Sequence, residues 1–141
     1  MTRLKNKHKK EIPIKMVRGI LAFEDILDYT LTTVADNPCF FWLEGGEEGP
    51  DFLLTKPGFF FEDYKIELKR EEIQDLSPES GEIEAYVIIT VPEKTTDMTA
   101  NLLGPLLINK EKGLARQVVL QDTPYTTRHY LFPPEKRRNC G

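Results

Sequence analysis

Two cysteines, two histidines, two serines and one tryptophan are all that 141 residues offer of the side chains most often recruited for nucleophilic, redox or zinc chemistry. Cys39 sits inside the apolar run Cys39-Phe40-Phe41-Trp42-Leu43 and Cys140 is the penultimate residue. That placement argues against a disulfide framework and against a zinc site, which needs paired Cys or His at short spacing. Ser77 and Ser80 share one loop flanked by proline and glycine, and no Gly-x-Ser-x-Gly elbow exists, so a serine hydrolase is not indicated. There is no phosphate-binding loop or dinucleotide fingerprint, and the one Gly-Gly pair, Gly45-Gly46, runs into Glu47-Glu48, which would repel a phosphate. Long apolar runs are missing too: none approaches the roughly 20 residues of a membrane span. The basic N-terminus has no apolar stretch behind it to serve as a signal-peptide core. The chain therefore reads as cytoplasmic, with no membrane partner.

What is present is ordinary for a folded chain: 40% apolar and 30% charged residues, enough for one hydrophobic core at this length. The net charge of -4 conceals an uneven distribution. Eight basic residues lie in the two ends, whereas all 23 acidic residues lie between Glu11 and Glu135, leaving a body of net charge -12. A body of that sign disfavours direct contact with nucleic acid and suits a basic partner. The expected organisation is a basic, flexible segment over residues 1–10, a β domain over 11–132 and a flexible tail over 133–141.

Alternation with a period of two dominates. Ile12, Ile14 and Met16 mark one face of a strand, and 29–34 is β-branched and ends at the turn Asp36-Asn37-Pro38. Short apolar stretches at 39–43, 52–55, 59–61 and 64–68 are separated by glycine and proline and read as further strands. Residues 71–76 predict one or two turns of helix before Ser77-Pro78, and 85–91 predicts a central strand. Residues 115–121 alternate again and predict a last strand. Ten prolines, nine glycines and at least seven short strands define an all-β class, mainly antiparallel: a partly open, β-barrel-like single domain with one or two short helices.

Candidate chemistry is thin. His129 could pair as a base with Asp122 or Cys39, but a single histidine between Arg128 and Tyr130 reads as a hydrogen-bonded structural residue. Trp42, flanked by Phe40 and Phe41 with no basic neighbours, reads as core rather than as a stacking platform. No enzyme activity, metal or cofactor is expected. The segment 95–109 is unusual, because small polar residues and asparagines sit among aliphatics with a period of neither two nor 3.6. Two readings stand: a binding ledge built on Met98, Leu102 and directed hydrogen bonds from Asn101 or Asn109, or a bulged strand whose asparagines satisfy its own backbone.

The same segment carries a resemblance. Thr90-Val91-Pro92-Glu93, Met98-Thr99-Ala100-Asn101-Leu102-Leu103-Gly104-Pro105, Ile108-Asn109 and Gln117-Val118-Val119-Leu120 resemble the FliW family. Gly19-Ile20-Leu21-Ala22-Phe23-Glu24-Asp25, the run 38–43, Phe52-Leu53-Leu54-Thr55, Pro57 and Phe61-Glu62-Asp63-Tyr64 are similar to further family blocks in the right order. The chain departs where Ala22 replaces the usual glycine, Glu44-Gly45 the usual Gln-Ser, and Glu62 the usual proline. The resemblance implies a flagellar assembly factor that binds the translational regulator CsrA and relieves its repression of flagellin mRNA, with flagellin competing for the factor. The alternative is a small-ligand-binding β-barrel without catalytic activity. From their peculiarity within the segment, Asp97, Met98, Asn101, Leu102, Leu106 and Asn109 are the expected partner contacts.

Overall fold

The alternating apolar positions become the inward face of one continuous sheet. The computed structural model describes residues 10–47 and 49–139. The strands are β1 (Glu11–Arg18), β2 (Asp28–Val34), β3 (Asn37–Glu44), β4 (Asp51–Thr55), β5 (Ile83–Thr90), β6 (Thr99–Ala100), β7 (Leu106–Asn109), β8 (Leu114–Gln117) and β9 (His129–Tyr130). Their order is β4-β3-β2-β1-β8-β7-β5-β6-β9, and β4 pairs in addition with β5, so the sheet closes like a ring. The closure rests on Leu53↔Ile89, Leu54↔Ile88 and Thr55↔Val87. Every pairing is antiparallel except β1 with β8, which is parallel and bulged between Met16 and Arg18.

Side chains alternate across a strand, so the register assigns the faces. Ile14, Met16, Tyr29, Leu31, Leu43, Leu54, Tyr86, Leu106, Ile108 and Ala115 fill the inside of the ring as one buried cluster. The outer face of β4 and β5 is covered by a second cluster, in which Val87, Ile89 and Leu102 meet Phe60, Phe61, Tyr64 and Phe132. A third cluster places Leu76, Leu107 and Val118 under Ile66, Leu68 and Ile73. The short helix α1 (Arg70–Ile73) continues into a 3-10 turn at Gln74–Leu76 and stops at left-handed Ser77, as the residues before Pro78 predict.

Strands β6 and β7 are one strand interrupted. Ala100 faces Ile89 and Leu106 faces Tyr86, so five residues, 101–105, stand opposite only Val87 and Ile88. The side chain of Asn101 organises the excursion: its Oδ1 accepts the N–H of Leu103 (3.0 Å) and of Gly104 (2.9 Å). This is the bulged-strand reading of the segment, with an asparagine satisfying backbone donors that the ladder leaves unpaired.

Four expectations change. Residues 59–61 do not form a strand, because Pro57 supplies the preset φ of a 3-10 turn over Pro57–Phe59. Residues 64–68 and 118–121 carry strand periodicity yet belong to no strand, and β8 ends at Gln117. Trp42 is half-buried, opposite Thr32 and Leu53, and belongs to the outward-facing parity of β3, whereas Phe41 and Leu43 face the interior. Residues 134–139 of the expected tail form helix α2 (Pro134–Asn139), which starts on a proline and carries Glu135 in its first turn, both favourable at a helix N-terminus. Residues 1–9 of the expected basic segment, and 140–141, lie outside the described residues.

Ala22 adopts φ +76°, the left-handed region that disfavours a Cβ. This explains why glycine is the residue the resemblance expects there. Ala22→Gly is expected to raise stability by about 1 kcal/mol, the strain relieved less the entropy added to the unfolded chain. The urea midpoint at unchanged m-value checks it.

Candidate partner-binding surfaces

The unusual segment proves to be a junction that ties the outer layers to the ring. Leu102 O accepts the hydroxyl of Tyr64 at 2.8 Å, and the N–H groups of Leu102 and Leu103 both donate to Thr126 O at 3.1 Å. Met98 O accepts the N–H of Leu131 (3.1 Å), and Gln117 Nε2 donates to Gly104 O (3.0 Å). Asn109 is wholly buried. Its Nδ2 donates to Leu76 O (2.8 Å) and Ser77 O (3.0 Å), and its Oδ1 accepts the N–H of Lys112 (3.2 Å). It thus clamps the end of the α1 region onto the last turn of β7.

Of the six expected contacts, Leu102, Leu106 and Asn109 are 2%, 0% and 0% exposed. They present no surface to a partner in this structure, and direct contact at these three positions is corrected to a core role. Asp97, Met98 and Asn101 are half-buried and do reach the surface. They adjoin β9, where exposed Tyr130 faces Thr99, and exposed Val91 at the end of β5. The sequence could suggest that the segment was special but could not separate a buried asparagine from an exposed one, because both serve backbone groups.

His129 does not meet Asp122 or Cys39 in a hydrogen bond. Its Nε2 accepts the N–H of Thr126 at 2.8 Å and its ring lies against Phe61 and Tyr125, so it holds a turn. Tyr64 and Tyr125 meet edge to face at 4.7 Å, and burial pushes the Tyr64 hydroxyl well above its ordinary range. Among the described residues no group of three His, Cys, Asp or Glu is placed to hold a metal ion, and no helix is long and apolar enough to cross a membrane.

One polar cluster lies along β5. Glu84 is bracketed by Lys56 (3.0 Å) and Lys110 (3.1 Å), and the Lys56 ammonium stands 5.8 Å from the ring centres of both Phe41 and Tyr86. Burial pushes the Glu84 carboxyl upward, but the hydrogen bonds and charges of the two lysines outweigh it and hold the group below its ordinary range. Each carboxylate oxygen has a lysine partner, so the cluster is a satisfied tether between β4, β5 and the β7–β8 turn.

A surface that sequence reading passed over lies in the connection between β1 and β2. Leu21 is 58% exposed and Phe23 40%, with Leu27 also exposed, beside exposed Glu24, Asp25 and Asp28. The connection is rigidly held: Leu21 N donates to Gln117 Oε1 (3.0 Å), Ala22 N to Glu24 Oε2 (3.2 Å), and the Phe23 ring packs edge-on against Phe52 at 5.5 Å. The loop between β3 and β4 lies alongside, since Gly49 packs so closely on Ile26 that a Cβ there would come within 2.8 Å of Ile26 Cγ2. It adds exposed Glu47, with exposed Asp51 following at the start of β4. Apolar side chains framed by carboxylates, with no period of two or 3.6, were the available signal.

The chain falls into the class of small, closed, mostly β proteins whose interior is filled by side chains and whose connections display apolar groups. The FliW protein family matches residues 3–131. The flagellar assembly factor FliW of Heliobacterium modesticaldum is 38% identical over 125 residues, covering 87% of this chain and 82% of that protein. The one from Alkaliphilus metalliredigens is 35% identical over 138 residues, covering 92% and 85%. A crystal structure of the flagellar assembly factor FliW superposes with a TM-score of 0.78 at 33% identity, covering 87% of each chain. The chain belongs to the FliW family.

Two outcomes follow from the junction and the tether. Asn109→Leu strands two carbonyls and one N–H, and is expected to cost about 3 kcal/mol, read from urea unfolding. Glu84→Gln is expected to cost about 1 kcal/mol at neutral pH. A depressed folded-state pKa contributes stability above the unfolded carboxylate pKa and loses it as pH falls through the folded value. The difference between wild type and Glu84→Gln should therefore shrink in unfolding curves taken on the acid side of the ordinary carboxylate range.

Proposed function

We propose that this protein is a cytoplasmic flagellar assembly factor, with residues 11–132 as its working domain, that binds the translational regulator CsrA and relieves its repression of flagellin mRNA, flagellin competing for the factor. The observation that carries the reading beyond family membership is the combination of exposed Leu21, Phe23 and Leu27 with Glu24, Asp25 and Asp28 on an acidic body. A regulator that holds mRNA phosphates is basic at its working face, and such a surface steers it into contact while the apolar groups supply the buried area. Asp97, Met98 and Asn101 form a second candidate face, framed by Val91 and Tyr130. The ligand-barrel alternative loses its support because the inside of the ring is filled by side chains such as Met16, Tyr86 and Leu106.

Size-exclusion chromatography with light scattering, run on the full chain mixed with purified CsrA at low and moderate salt, tests this directly. A stable complex that added flagellin dissolves is the expected outcome; separate elution at every salt overturns the proposal. Leu21→Ala with Asp25→Lys is expected to weaken CsrA binding at least about tenfold, as loss of an exposed apolar contact and a charge reversal should. If Met98→Ala weakens it instead and the double variant does not, the contact lies on the second face.

A further inference from the structure

Two stretches that carry the periodicity of strands remain outside every strand, and they line the same groove. Residues 65–69 and 119–123 form the walls of an open groove of about 670 Å³, which runs on past Glu72 and Val119 into a smaller depression beside Arg18 and Leu21. In the first wall Tyr64, Ile66 and Leu68 turn inward, half-buried, while Lys65, Glu67 and Lys69 are exposed, the in-out alternation of a strand on a sheet. Ile66, Leu68 and, from the second wall, Leu120 pack on the buried Leu76, Leu107 and Val118, so the groove has an apolar floor.

Both ends of the first wall are pinned. Lys65 N donates to the Tyr125 hydroxyl (3.1 Å) and Lys69 N to Glu72 Oε1 (2.8 Å). Between the pins, the main-chain groups of Ile66, Glu67 and Leu68 make no hydrogen bond among the described residues, and the same holds for Val119 and Gln121 opposite. A strand-patterned segment fixed at its ends with its middle unpaired is preorganised for an added strand, because the entropy of ordering it has already been lost in folding.

We infer that this groove takes an extended segment of a partner protein by strand addition, apolar side chains down onto Ile66, Leu68 and Leu120 and charged side chains outward. The exposed row Lys65, Glu67, Lys69 fixes the chemistry of that segment, since opposite charges across a pair stabilise and like charges repel: its outward positions are acidic, basic, acidic. The row reads the same in both directions, so it selects the partner's composition and leaves its direction to the floor. The same segment of a second copy does not fit, because its row would set Lys opposite Lys and Glu opposite Glu in either direction. The inference holds whichever protein supplies the segment, and so stands apart from the CsrA and flagellin reading.

The test uses the full chain and a capped heptapeptide with valine at the inward positions and Glu, Lys, Glu at the outward ones. Amide hydrogen exchange followed by NMR is expected to slow at least about tenfold at one or more of Ile66, Glu67 and Leu68 when the peptide is present at millimolar concentration. The same peptide N-methylated along its backbone should give no protection, because it cannot pair. Lys65→Glu with Lys69→Glu, both exposed and outside the core, should invert the preference toward a peptide with Lys, Glu, Lys outward. No slowing, equal slowing by the N-methylated peptide, or a preference the charge reversal leaves unchanged overturns the inference.

Discussion

Strand β5 is the constraint on which the rest of the molecule depends, because it is paired along both edges. Val87, Ile88 and Ile89 bond to β4 on one side, while Ile83 to Tyr86 and then Ile89 and Thr90 bond to β7 and β6 on the other. The middle of β5 is also covered on both faces, Tyr86 inside the ring and Val87 and Ile89 beneath the outer cluster, which is why residues 85–89 are so continuously apolar. Closure through β5 covers the edge that β4 would otherwise expose, leaving β9 as the outer strand, and between β6 and β7 the chain leaves the ladder at 101–105.

The bulge in turn organises the surface. Asn101 holds it from within, Tyr64 and Thr126 hold it from outside, and Gln117 joins it to the β1–β2 connection by donating to Gly104 O and accepting from Leu21 N. One glutamine side chain thus links the excursion on which sequence reading concentrated to the apolar and acidic connection that it passed over. The two candidate contact faces belong to one hydrogen-bonded framework, which keeps each of them in a defined shape without help from a partner.

Much of the architecture was legible because period-two alternation is a direct image of a sheet with one buried face: Ile12, Ile14 and Met16 turn inward as their spacing demands, and 71–76 ends at Pro78 as proline dictates. Pairing was less legible than periodicity. Alternation at 64–68 and 118–121 reports that one side of the chain is buried, which those segments satisfy on the outer layer without any neighbouring strand. The candidate contacts were read least well, since Asn109 and Asn101 look alike in sequence while one is a buried clamp and the other reaches the surface. Burial is decided by which layer covers a residue, and a layer is assembled from segments far apart in the chain.

The parallel pairing of β1 with β8 joins residues about a hundred positions apart, as in Met16 with Ala115. As the chain leaves the ribosome, β1 to β4 emerge as a four-stranded meander with both outer edges bare, since β4 waits for β5 and β1 waits for β8. The final ring therefore cannot lock until β8, ending at Gln117 of 141 residues, has been made, more than four-fifths of the way along the chain. Such distant contacts slow folding through the cost of closing a long loop, and the nascent protein spends that interval with two sheet edges open to whatever lies nearby.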